Sequence, residues 1–167
     1  MTALAKPLRA PLVLVIVAVI GALGAAFGSQ AADSDVRYHF RSTEKCLMAK
    51  INGKRARHGL RKLQWDRQLG FVARAHAEKM ARRNKGFWHD RRLGSKVTRW
   101  RRLGQNTGFA SGCRSMFRAF WHSRLHRRNL MGSWRFIGVG VARRGGRIYA
   151  QEVFESRSNP GNVFSFP

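Results

Sequence analysis

Acidic residues are scarce in this 167-residue sequence: 8 Asp and Glu stand against 33 Lys and Arg, for a formal net charge of +25 at pH 7. Hydrolysis by paired carboxylates therefore has few residues to draw on. Asp33, Asp35 and Glu44 lie near the N-terminus and Asp66 reads as a helix cap, which leaves Glu78, Asp90, Glu152 and Glu155, and nothing in the spacing places two of these together. Cysteine is almost absent, with only Cys46 and Cys113, and the short C-x-x-C spacing of a metal pair is missing. In an oxidising compartment such an isolated pair reads as one disulfide, two free buried thiols being the alternative. There is no internal repeat and no low-complexity tract. Only one long apolar run occurs, over residues 11–27.

That run, preceded by Lys6 and Arg9 and followed by small residues at Ser29 and Ala31, has the build of a signal peptide with cleavage after Ala31. Left uncut, it falls just short of the roughly 18 apolar residues that suggest a spanning helix, and would serve as an N-terminal membrane anchor. Removal of residues 1–31 leaves a chain long enough for one domain with its own core. The protein is thus expected to be secreted or periplasmic.

Loss of the leader removes only two of the basic residues, so the positive excess belongs to the domain. It attracts polyanions: anionic wall polymers, lipid headgroups or nucleic acid. The basic residues recur along the chain, in 55–57, 82–85 and 99–102, so no tail carries them. A uniformly basic surface without a dedicated partner is the alternative. Trp88, Trp100, Trp121 and Trp134 interleave with the cations and have the faces to stack bases. No groove-reading motif accompanies them, and an exported protein seldom meets nucleic acid.

Along the chain, residues 33–39 read as a loose lead-in. Ser42 and Thr43 precede a helical pattern with Leu47, Ile51 and Ala56 inward, stopped by Gly59. A second helix, capped by Asp66, carries Leu69, Val72, Ala73, His76, Ala77 and Met80 on one face up to Gly86. Residues 88–112 show no periodic apolar face and are expected to form a long structured loop, a length that is often functional. A third helix over 114–123 and an Arg-rich turn to Asn129 follow. Two strands, 136–142 and 147–154, then form a β-hairpin, and 156–167 reads as a loosely held extension. This order is α+β, with helices packed against a small antiparallel sheet.

Specific residues carry a family resemblance over about residues 44–155. Ile51-Asn52, Arg55, Gly59-Leu60, Leu63, Trp65-Asp66 and Leu69 are followed in order by Met80, Phe87-Trp88-His89, Gly104-Gln105-Asn106, Ser123, His126-Arg127-Arg128-Asn129-Leu130 and Ile137-Gly138-Val139-Gly140-Val141. This set resembles the bacterial SCP-like domains of the CAP superfamily (cysteine-rich secretory proteins, antigen 5 and pathogenesis-related 1). The resemblance implies an α-β-α sandwich over 44–155, behind a signal peptide (1–31) and a lead-in (32–43), with an extension at 156–167.

It also implies a central cleft holding two histidines and one or two glutamates, where some members bind a divalent cation. His89 and His126 match the histidines; Asn106 and Asn129 belong to the same motifs. The family's Gly-Glu-Asn appears here as Gly104-Gln105-Asn106, and Phe120 stands where a Trp usually sits. Gln105 carries no charge and cannot act as a base, though its amide oxygen can accept a hydrogen bond or weakly ligate a metal. The imidazoles of His89 and His126 are candidate ligands for Zn²⁺ or Ni²⁺, with water completing the shell, opposed by the charge of Arg91, Arg127 and Arg128. The alternative is that both histidines merely hydrogen-bond across the cleft. His76 reads as a core histidine and His122 as an exposed helical residue. Ser123 and His126 invite comparison with a serine nucleophile and its base, but no orienting acid is identifiable; Cys113, if oxidised, is no nucleophile.

The sequence therefore points to an exported monomeric CAP domain, a binding module with little or no catalysis. Its cleft of His89, Gln105, Asn106, His126 and Asn129 takes a small ligand or cation. Arg99, Arg101, Arg102, Arg127 and Arg128 hold anionic wall polymer or lipid headgroups. The competing readings are a metal-assisted hydrolase acting on peptide or wall substrates and a cationic membrane-active antimicrobial protein.

Overall fold

The computed structural model describes residues 39–156 and the backbone of 163–164. The expected leader, residues 32–38 of the lead-in and most of the C-terminal extension lie outside the described residues. The elements run α1 (Ser42–Arg57), β1 (Gln64–Asp66), α2 (Arg67–Arg83), α3 (Leu93–Lys96), β2 (Leu103–Ala110), α4 (Cys113–His122), α5 (Arg124–Leu130), β3 (Phe136–Arg144), β4 (Arg147–Glu155) and β5 (Val163–Phe164). The strands form one sheet in the order β2-β4-β3-β1-β5, antiparallel except for β1 beside β3.

Helices cover both faces of this sheet, giving the expected α-β-α sandwich. On one face Leu47, Met48 and Ile51 of α1 and Met116 and Phe120 of α4 pack on Ile137, Val139, Val141, Ile148, Ala150 and Phe154. On the other, α2 supplies Leu69, Ala73, Ala77 and Met80 against Phe136, Val153, Ala142 and Tyr149. The period-2 alternation of β3 and β4 sends neighbours to opposite faces. Two residues of β3 that face α2 are glycines for a steric reason: a β-carbon on Gly138 would lie 2.1 Å from the Leu69 carbonyl carbon, and one on Gly140 2.0 Å from the Arg74 nitrogen. The helix backbone rests directly on the strand.

Local signals explain most of the elements. Asp66 Oδ1 accepts the Leu69 N–H at 2.9 Å and caps α2. Asn84, in the left-handed conformation, ends it. Gly145 and Gly146 both have positive φ, as the tight two-residue turn between Arg144 and Arg147 demands. Glu44, fully buried, accepts the Arg41 and Val141 N–H groups and the Arg74 guanidinium, so one carboxylate joins α1, β3 and α2. The Arg55 guanidinium donates to the carbonyls of Arg61, Leu130 and Gly132, closing the end of α5 onto α1.

Four expectations need correction. The segment 88–112 holds the strand β2 and the short helix α3; β2 was hidden because its buried residues are Asn106, Thr107 and Gly108, not an apolar alternation. The Arg-rich turn after α4 is the helix α5, whose only buried residue is Leu130. In α1 it is Arg55, not Ala56, that points inward. Part of the C-terminal extension is β5, which pairs with Trp65 and Asp66 at the edge of the sheet. The expected disulfide is formed: Cys46 of α1 is bonded to Cys113 at the start of α4, with Cα atoms 6.2 Å apart.

Candidate functional site

The residues expected to share one cleft come from both faces of edge strand β2. Successive strand residues point to opposite sides, and register pairs Asn106 with Glu152 and Gln105 with Val153. Asn106 therefore lies on the α4–α5 face and Gln105 on the α2–α3 face.

On the α4–α5 face the structure brings Asn106, Asn129 and His126 together. Asn106 is fully buried; its Nδ2 donates to Glu152 Oε2 at 2.8 Å and to the His126 carbonyl at 3.3 Å. Its Oδ1 accepts from Asn129 Nδ2 at 2.9 Å, and Asn129 also donates to the Gln105 carbonyl at 3.0 Å. The His126 ring packs at 4.8 Å from the Phe120 ring. Ser123 Oγ accepts the His126 backbone N–H at 3.5 Å as the cap of α5, so the contact between these two residues is not that of a nucleophile with its base. The pKa of His126 is lowered by burial and then, to a smaller extent, by the charge of the exposed His89.

Glu152 is the site residue that sequence reasoning did not place. Its carboxyl is completely buried, receives one hydrogen bond from Asn106, and has no partner at Oε1 among the described residues. Burial pushes its pKa up to about 8, with the Asn106 bond acting in the other direction. A neutral carboxylic acid thus lies under the Asn106–Asn129–His126 group near pH 7. The signal was present in β4, where Ile148, Ala150 and Phe154 occupy the core face and the same alternation puts Glu152 on it.

On the α2–α3 face Gln105 acts as a clamp. Its Oε1 accepts the Asp90 N–H at 2.9 Å and a Gln151 Nε2–H at 2.8 Å, while its Nε2 donates to the Asp90 carbonyl at 3.1 Å. The segment that carries His89 is thereby fixed to β2. Asp90 is in turn held by Lys96 at 2.6 Å and by the Arg92 N–H at 3.0 Å. Burial would raise its pKa, but these partners outweigh burial and hold it below the usual carboxylate value. His76 donates through Nε2 to the Trp88 carbonyl at 2.7 Å, with its other nitrogen 3.8 Å from Asp90; burial lowers its pKa first of all. A cavity of about 680 Å³ opens here, lined by His76, Lys79, Trp88, His89, Asp90 and Lys96 among others.

The donor set is short for a resident metal. No group of three His, Cys, Asp or Glu side chains is gathered among the described residues. The Gln105 amide is engaged with Asp90 and Gln151, so His89 and His126 stand as two imidazoles where an open zinc site uses three protein ligands. Of the expected polyanion-binding residues, Arg99, Arg101, Arg102, Arg127 and Arg128 are all exposed. They do not act alike: Arg102 covers the Trp134 ring at 4.5 Å and donates to the Ser133 carbonyl, whereas Arg127 and Arg128 line a separate groove beside Trp121. Glu152 and Glu155 fall on opposite faces of β4 by the same alternation.

Residues 48–155 match the family described as the cysteine-rich secretory protein family. No curated protein is a match. Among solved structures, an extracellular protein containing a SCP domain from Bacillus anthracis aligns with a TM-score of 0.61 and 26% identity, over 69% of this chain and 40% of that one. This chain therefore spans well under half the length of the Bacillus protein. An outer surface protein of Borrelia burgdorferi aligns with a TM-score of 0.63 and 17% identity, over 72% of this chain and 98% of that one. A cysteine-rich secretory protein of Staphylococcus aureus aligns at 0.58 and 18%, over 69% and 39%. The last two likenesses are to the fold alone.

Proposed function

The chain belongs to the cysteine-rich secretory protein family, and from that premise we propose that it is an exported binding module of the cell envelope or extracellular space. Its cleft, on this reading, takes a small polar ligand between His89 and His126 at the edge of β2. The observation that carries the reading is the hydrogen-bonded group of Asn106, Asn129 and the buried Glu152, which holds the His126 main chain at the edge of β2; the effect of the His89 charge on His126 supports a second imidazole near it. The His126 imidazole, its pKa lowered first of all by burial, can in its neutral form donate and accept at once, which suits a polar ligand. Export is supported by the leader pattern in residues 1–31 and by the extracellular Bacillus relative. The charge of +25 supports retention on anionic polymers of the envelope.

Moderate salt is expected to release the protein from membranes and wall, since exposed charges are screened within about 10 Å at 0.1 M ionic strength. Retention at high salt overturns the electrostatic part. For the cleft, a His89→Ala, His126→Ala variant is expected to lose ligand-dependent thermal stabilisation while folding as the wild type does. Stoichiometric metal in the purified protein, lost together with hydrolytic turnover in that variant, would instead establish the metal-assisted hydrolase.

A further inference from the structure

We propose that the corner where α4 meets α5 is a docking face for an anionic phospholipid surface, with Arg124, Arg127, Arg128 and Lys54 on the lipid phosphates and Trp121 and Leu125 at the bilayer interface. This rests on the reading of an envelope protein held by charge, and narrows it to one face and one partner.

The groove at this corner has a volume of about 600 Å³ and is lined by His58, Trp121, Arg124, Arg127, Arg128 and Met131. Arg124, Arg127 and Arg128 are spaced i, i+3 and i+4, so they share one side of α5. Lys54 Nζ stands 4.4 Å from the centroid of the Trp121 ring, and the Arg127 guanidinium 5.9 Å. Phe117 stacks on the same indole with centroids 6.2 Å apart. Four cations thus crowd around one half-buried aromatic pair. Among the described residues, the ion pairs engage Arg41, Arg74, His76 and Lys96, and none involves a cation of this corner. Mutual repulsion without a carboxylate makes an external anion the complementary partner.

Leu125 decides what kind of anion. It is 69% exposed, more than any other large apolar residue described, and sits on α5 one turn before Arg128, at the flank of the side that the three arginines share. A hydrated anionic polymer satisfies the arginines and has no place for a leucine. A bilayer satisfies both: phosphates meet the guanidinium groups, tryptophan lies at headgroup level, and the leucine enters the acyl boundary. Each basic residue near such a surface adds roughly a further fivefold to partition.

The test is co-sedimentation of the full-length chain with vesicles of phosphatidylcholine, with and without phosphatidylglycerol, read as the ratio of the two partition constants so that any contribution of the apolar leader cancels. Two triple variants lose equal charge at exposed positions: Arg124→Gln, Arg127→Gln, Arg128→Gln on the face, and Arg82→Gln, Lys85→Gln, Arg147→Gln away from it. The face triple is expected to lower the ratio roughly a hundredfold, the other triple far less, and Leu125→Ser to reduce the binding that survives high salt. Equal losses in the two triples overturn the face while leaving the charge-based reading in place. No effect of Leu125→Ser overturns the lipid and assigns the arginines to a wall polymer. A wild type without preference for anionic vesicles overturns this proposal, and the charge-based reading fails with it only if the protein also ignores a soluble phosphodiester polymer.

Discussion

Asn106 Nδ2 donates to Glu152 Oε2 at 2.8 Å across the β2–β4 ladder, inside the core and beneath His126. One residue here anchors the cleft and the other holds a proton for it. The folded pKa of Glu152, about 8, lies above its ordinary 4.5, so the folded state binds this proton more tightly than the unfolded chain. The resulting stability is fully present below about pH 4.5 and is lost as the pH rises toward 8.

Glu152→Gln is expected to keep the Asn106 bond and abolish this dependence. At about 1.4 kcal/mol per pKa unit, the wild type loses several kcal/mol relative to the variant over that range. Urea unfolding at a series of pH values checks it; parallel curves for the two proteins would contradict it.

The charge of His89 is the second cause, after burial, of the lowered pKa of His126. His89→Ala is therefore expected to move the titration of His126 upward, toward the ordinary value, without restoring it fully. Proton NMR of the His126 ring against pH measures the shift. An unchanged midpoint would show that the two rings do not face one another.

Gln105→Glu restores the acid usual in the family motif, and is expected to destabilise this chain. An ionised carboxylate only accepts, so it cannot replace the Nε2 donation to the Asp90 carbonyl. A lost hydrogen bond with a part-buried acceptor left over costs about 1–3 kcal/mol. The loss should shrink on acidification, when a protonated acid can donate again. Thermal midpoints at neutral and acid pH decide the matter.

The Cys46–Cys113 bond closes a separation of 67 residues, for which loop-closure entropy gives about 4 kcal/mol. Reductant is expected to lower the melting temperature by many degrees. Thiol labelling with intact mass should find no reactive thiol before reduction and two after it.

Sequence pattern revealed elements in proportion to their apolar periodicity. Helix α2 could be drawn from Asp66 onward because Leu69, Ala73, Ala77 and Met80 recur on one face, and the hairpin because Gly145 and Gly146 interrupt two apolar runs. β2 escaped notice since Asn106 and Thr107 are buried through hydrogen bonds instead of apolar packing. The site was legible as a set of motifs but not as a geometry: Gln105 and Asn106 are adjacent in sequence, and only the pairing of β2 with β4 shows that they serve opposite faces. Glu152 carried a usable signal, an acid in phase with the core residues of β4, which the second buried face of that strand obscured.

The bare contact of α2 on Gly138 and Gly140 bears on how any ligand enters. With main chain against main chain there is no layer of side chains to shear, so helix and sheet behave as one stiff backing plate. Give in the cleft must then come from the stretch between α2 and β2, whose attachment at Asp90 runs through the amide of Gln105. Gln105 at Asp90, together with His76 at Trp88 and Gln68 at Thr98, thus latches the movable stretch to a backing that does not itself yield.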